Sequence, residues 1–161
     1  MKMDNNDILI RLRDALDIKN TDMVEMFKLG GTELTEEEVR KMLIKSREEN
    51  IKCKNSTLES FLNGFIIFKR GKQDPKPGQP ERPVLSIKDS ENLNNIMLKK
   101  LKIALSLSSD DMIEILEAAG AIVTKGELSA LFRKQGHKHY KECDDKYAMN
   151  FLKGLAIKDR G

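Results

Sequence analysis

Apolar residues recur along the chain at the spacing of amphipathic helices. Ile8, Leu12, Ala15 and Leu16 fall at i, i+4, i+7 and i+8, which places them on one helical face. A short second helix is predicted from Asn20 or Thr21 to the glycine turn at 30–31, because glycine readily adopts the left-handed conformation that ends helices.

Two further helices are predicted in the first half of the chain. The segment 35–38 (TEEE) has the capping-box spacing and predicts a helix that continues to about Glu49. The segment 56–59 (STLE) has the same spacing and predicts a last helix that continues to about Lys69. No segment alternates as a strand does, so the fold class is all-α.

The sequence repeats itself after 89 residues. Residues 6–43 align with 95–132 without a gap, with eleven identical pairs that include Asn6/Asn95, Gly31/Gly120 and Thr35/Thr124. After one inserted residue the offset becomes 90, and Cys53/Cys143 and Gly64/Gly154 match there. Such self-similarity indicates a tandem duplication.

The duplication predicts three parts: a first helical repeat at 1–71, a Pro-rich linker at 72–91 and a second helical repeat at 92–161. The linker contains all four prolines, which fix φ and lack an N–H. Because each four-helix unit has a small core, we expect the two units to pack as one pseudo-two-fold helical body. Gly64 and Gly154, inside the last helices, predict close helix–helix contacts, and the interface between the copies is a possible place for them.

Composition restricts the class of protein. The formal net charge is +3, and residues 92–161 supply it with 12 basic and 9 acidic side chains. Two cysteines and the absence of an export signal or a long apolar run predict a cytoplasmic protein without a membrane span. No cofactor-binding motif is present, and no membrane partner is expected.

The candidate binding residues are cations. Lys102 and Arg13 are equivalent in the two repeats, as are Lys100 and Arg11, and arginines near the ends of the last helices could either cap those helices or bind anions. Together they could form a modest phosphate-binding surface. The candidate residues are Arg11, Arg13, Lys69, Arg70, Lys99, Lys100, Lys102 and Arg160.

Two other patterns leave their interpretation open. The second and third helices of each repeat resemble a helix-turn-helix, but three acids at Glu36–Glu38 would repel a phosphate backbone. His137, His139 and Cys143 could supply zinc ligands or a Cys–His pair, although Cys53 and Cys143 at equivalent positions favour buried structural thiols. We therefore predict no catalytic residue, no metal and no cofactor.

The segments 61–72 (FLNGFIIFKRGK), 94–116 and 151–161 (FLKGLAIKDRG) resemble the YehS-like family of bacterial proteins. The resemblance covers nearly the whole chain and implies an all-helical, duplicated, cytoplasmic protein, with no activity to carry over. Where the first repeat has Lys69–Arg70, the second has Asp159–Arg160, so a symmetric basic site is not expected.

These observations predict a non-enzymatic binding or regulatory protein. One hypothesis is association with nucleic acid through the candidate cations. The alternative is a protein-interaction adaptor that uses an apolar helical surface rich in methionine, since the chain contains eight Met.

Overall fold

The structure, a computed structural model, describes residues 4–44, 51–70, 93–133 and 138–160. For residues 159 and 160 it describes the backbone but not the side chains. The linker predicted at 72–91 lies outside the described residues, as do Gly71 and Gly161. Within the described ranges the chain forms eight helices and no strand, which confirms the all-α prediction. They are α1 (Asn5–Leu16), α2 (Asn20–Leu29), α3 (Glu36–Met42), α4 (Asn55–Arg70), α5 (Leu93–Ala104), α6 (Ser109–Ala118), α7 (Lys125–Leu131) and α8 (Asp145–Arg160).

Local sequence signals set most of the helix ends. Thr35 and Glu38 form a reciprocal capping box at the start of α3. At the start of α7, the Thr124 side chain accepts a hydrogen bond from the backbone N–H of Glu127, and the reciprocal bond is not formed. Gly31 and Gly120 have φ values of 104° and 87°, as the predicted left-handed stops require.

The third helix is shorter than predicted. It ends at Met42, because the Asn6 amide binds the Met42 carbonyl oxygen at 2.9 Å and the chain turns away at Leu43. The predicted end at Glu49 lies outside the described residues.

The capping box predicted at 56–59 is also wrong. α4 begins at Asn55, so Ser56 is already its second residue and is not its N-cap, and Glu59 is fully buried with its carboxylate 3.6 Å from the Lys100 ammonium of α5.

The two repeats exchange helix contacts. α1 packs on α8, and α5 packs on α4, so the first helix of each repeat lies on the last helix of the other. Within a repeat, α2 packs on α4 and α6 packs on α8. One apolar core contains residues of both repeats, as the predicted pseudo-two-fold body requires.

Gly64 and Gly154 make the predicted close contacts, but within each repeat and not between the repeats. A Cβ at Gly64 would overlap the carbonyl oxygen of Met26 in α2, and a Cβ at Gly154 would overlap that of Ile115 in α6. Met26 and Ile115 are equivalent residues, so both repeats preserve the same backbone approach.

Paired asparagines connect each first helix to its own repeat. Asn6 donates to the carbonyl oxygens of Met42 and Ile51 and accepts from the backbone N–H of Cys53. Asn95 makes the same three contacts with Leu131, Lys141 and Cys143. Asn5 and Asn94, an identical pair just outside the aligned segment considered above, bind the carbonyl oxygens of Cys53 and Cys143.

None of the helices formed by the described residues combines the length and the apolar character needed to cross a membrane.

We predict that Gly64→Ala lowers the free energy of unfolding by about 2–3 kcal/mol, because the added methyl group has no space beside the Met26 carbonyl. Helix propensity alone would instead favour alanine by ~1 kcal/mol. Urea unfolding measures the difference.

Gly126→Ala in α7 is the control, since its Cβ would meet only Thr124 Oγ1 at 3.8 Å. We expect this variant to be as stable as the wild type or more stable. Equal gains in stability for both variants would contradict the close-contact explanation.

Candidate nucleic-acid interface

Arg70, the last residue of α4, connects the two repeats. Its guanidinium donates to the carbonyl oxygen of Ile103 at 3.1 Å and to Ser106 Oγ at 3.2 Å, at the carboxyl end of α5. Arg70 therefore caps a helix of the other repeat, where a cation meets the negative end of the helix dipole. The sequence indicated that Arg70 could cap a helix, but not that the capped helix would be α5.

Three other cations lie on the same pair of helices. Lys99 is exposed and Lys102 is half-buried, and both are within about one turn of Ile103, the residue that Arg70 binds. The Lys102 ammonium lies 5.7 Å from the centre of the Phe132 ring. Lys69 is exposed, and its ammonium lies 6.0 Å from the centre of the Phe65 ring.

The exposed charge of α4 and α5 has one sign. The two helices carry five cations and a single carboxylate, and that carboxylate, Glu59, is fully buried. We call the four cations Lys69, Arg70, Lys99 and Lys102 the α4/α5 basic face.

Lys100 is not part of this face, because it points into the contact between the repeats. Its ammonium lies 2.6 Å from Asn63 Oδ1 and 3.6 Å from Glu59 Oε2. Burial lowers the pKa of Lys100 below its ordinary 10.5, and the Glu59 carboxylate opposes that shift. The Lys100 ammonium is thus held mainly as the partner of a buried carboxylate.

Arg11 and Arg13 lie on α1, away from the α4/α5 basic face. Arg11 is exposed and Arg13 is half-buried, and they share α1 with Asp7 and Asp14, so this helix has no net charge. Arg160 is the last residue of α8, and its side chain lies outside the described part of the structure.

The equivalent contact between α1 and α8 lacks the buried ion pair. At the offset of 90, Met149 replaces Glu59 and Lys153 replaces Asn63, while Arg11 corresponds to Lys100. The two repeats therefore share their backbone plan but differ in charge at this contact.

The predicted helix-turn-helix segments form a pair of short helices in each repeat. α3 and α7 have seven residues each, and Glu36 and Glu37 at the start of α3 are exposed. In the second repeat, the Lys125 ammonium lies 3.2 Å from Asp110 Oδ1.

The cysteines are buried thiols. Burial, followed by the nearby Asp4 carboxylate, raises the pKa of Cys53 to about 12. Burial also raises the pKa of Cys143 to about 12, with smaller contributions from Asp144 and Asp145. Both are protonated at neutral pH and are poor nucleophiles.

The possible zinc ligands do not form a group in the described structure. His139 is exposed, His137 lies outside the described residues, and in the described ranges no set of three or more His, Cys, Asp or Glu side chains is placed to hold a metal ion.

Most of the described methionines are core residues. Five of the six described ones (Met23, Met26, Met42, Met97 and Met112) are at most 4% exposed, and Met149 is half-buried. The methionine-rich apolar surface expected for the adaptor alternative is therefore not formed by these residues.

We predict that Lys100→Met lowers the free energy of unfolding by about 3 kcal/mol, because it leaves the Glu59 carboxylate buried without its cation. Changing Glu59→Leu in the same chain should recover most of that loss. Chemical unfolding of the single and double variants measures both effects.

Arg11→Met is the matched control, since Arg11 is the exposed equivalent of Lys100. We expect a change within about 0.5 kcal/mol for it. If the losses of stability in the single Lys100 and Glu59 variants simply added up in the double variant, the two side chains would not be coupled.

Comparison with known proteins supplies the family. Residues 5–71 and 94–161 both match the sequence profile of a family described as "Protein of unknown function (DUF1456)". The chain is 40% identical over 156 residues to the "Uncharacterized protein YehS" of Escherichia coli (strain K12), which covers 96% of this chain and 95% of the relative. No solved structure matches the chain. The protein is therefore a tandemly duplicated member of the DUF1456 family, similar to YehS over almost its whole length.

Proposed function

We propose that this protein is a non-enzymatic nucleic-acid-associated protein that binds phosphate backbones through the α4/α5 basic face. The observation that carries the proposal is that the exposed charges on α4 and α5 are all cationic, while their one carboxylate is buried.

The chemistry of the face suits a polyanion. Lysine and arginine neutralise phosphates and release counterions, which makes affinity depend on salt. Arg70 lies at the contact between the repeats, so it holds the cations of α4 next to those of α5. If all four cations contacted phosphates, the slope of log K against log salt would be roughly −3.6 for duplex DNA.

Two observations favour this function over the alternatives. The described methionines belong mostly to the core, which weakens the methionine argument for an apolar adaptor surface. The high pKa of both thiols argues against a cysteine nucleophile, the strongest catalytic candidate in the sequence.

We predict that the double variant Lys99→Glu, Lys102→Glu binds fluorescein-labelled RNA at least tenfold more weakly than the wild type at low salt, with a shallower salt slope. Each lost phosphate contact reduces that slope by about 1. Lys100 is left intact, because reversing its charge would place two carboxylates in the buried contact. Fluorescence anisotropy at several salt concentrations provides the measurement.

The double variant Arg11→Glu, Arg13→Glu is the control, because it changes the net charge by the same amount on the equivalent helix α1. We expect it to retain most of the affinity. Equal losses in the two double variants would show a general charge effect and would contradict binding at this face. If the wild-type protein shows no saturable binding of RNA at low salt, the proposal is wrong.

A further inference from the structure

The connection between α7 and α8 carries a second group of cations, which are not among the candidate binding residues predicted from the sequence. Arg133, Lys138 and Lys141 are exposed, and His139 between them is exposed as well. At the offset of 90, the residues of the first repeat that correspond to Lys138, His139 and Lys141 are Glu48, Glu49 and Ile51. The second repeat is therefore basic at these three positions, whereas at Glu142 and Asp144 it is acidic where the first repeat has Lys52 and Lys54.

Lys141 anchors the described part of this connection to α7 and to α5. The backbone N–H of Lys141 donates to the carbonyl oxygen of Ala130 at 3.0 Å, and Asn95 at the start of α5 donates to the Lys141 carbonyl oxygen at 2.9 Å. At the end of α7, Phe132 lies beneath the Lys102 ammonium and directly precedes Arg133. Lys102, a member of the α4/α5 basic face, thus contacts the first residue of the connection.

Aromatic rings accompany these cations. His139 is exposed and the neighbouring Tyr140 is half-buried. Proteins that bind single strands combine a cationic path for the backbone with rings on which unpaired bases stack. A duplex keeps its base faces stacked inside the helix, so it could use the cations but not the rings.

We propose that Arg133, Lys138, His139 and Lys141 extend the α4/α5 basic face into a site for single-stranded nucleic acid, with the cations on the phosphates and the His139 ring against a base. This inference rests on the proposed function and specifies its substrate class and the repeat that provides the extension.

The test compares two probes on the full-length protein: a fluorescein-labelled single-stranded RNA of mixed sequence and a blunt duplex of the same sequence. We expect Lys138→Gln, Lys141→Gln to weaken binding of the single strand by about tenfold at low salt, since two phosphate contacts are lost. We expect His139→Ala to weaken binding of the single strand by about fivefold or more and to leave binding of the duplex almost unchanged.

The matched control is Lys52→Gln, Lys54→Gln. It removes two exposed cations from the corresponding connection of the first repeat and changes the net charge equally. We expect little effect on either probe. All three sets of substitutions are at exposed positions, and circular dichroism verifies that the variants remain folded.

The outcomes separate this inference from the proposed function. If the Lys99 and Lys102 reversals abolish binding while the Lys138, His139 and Lys141 variants bind like the wild type, the proposed function stands and this inference is wrong. Equal affinity of the wild type for duplex and single strand, with no effect of His139→Ala, also overturns it. A wild-type protein that binds neither probe at low salt overturns both.

Discussion

The exchanged packing of first and last helices is the constraint on which the rest of the structure depends. α1 lies on α8 and α5 lies on α4, so each first helix is covered mainly by the other repeat. A unit of this size has a small core and would be only marginally stable alone, and the exchange joins the two cores into one. The same packing places helices from different repeats side by side, and that juxtaposition creates the α4/α5 basic face.

The two repeats preserve backbone geometry and diverge in charge. Gly64 and Gly154 maintain the same close helix approach, and Asn6 and Asn95 hold the same connection. The residues that differ determine the surface: Glu59 neutralises Lys100 at one inter-repeat contact, whereas the other contact has Met149 in its place. Duplication thus preserves the backbone plan in both halves while the charges at the two inter-repeat contacts differ.

Much of the fold could be predicted from the sequence, because helix ends and the repeat depend on local patterns. Periodicity shows which face of a helix is apolar but not which helix covers it, so the exchange between repeats could not be derived. The 56–59 segment has the spacing of a capping box, yet burial against α5 determines the role of Glu59. Helical spacing already places Lys99 and Lys102 on one face and Lys100 on another, but only packing shows that Lys100 meets the buried Glu59 carboxylate. The cations between 133 and 141, on which the further proposal rests, were not among the residues predicted from the sequence.

The exchange is tested most directly by cleaving the purified chain at a protease site introduced within residues 72–91 and measuring the size of the products without denaturant. The structure predicts that both fragments remain together at the size of the intact chain and separate only when they unfold, because each depends on the other for most of the cover of its first helix. Two separate, folded, monomeric fragments would contradict it.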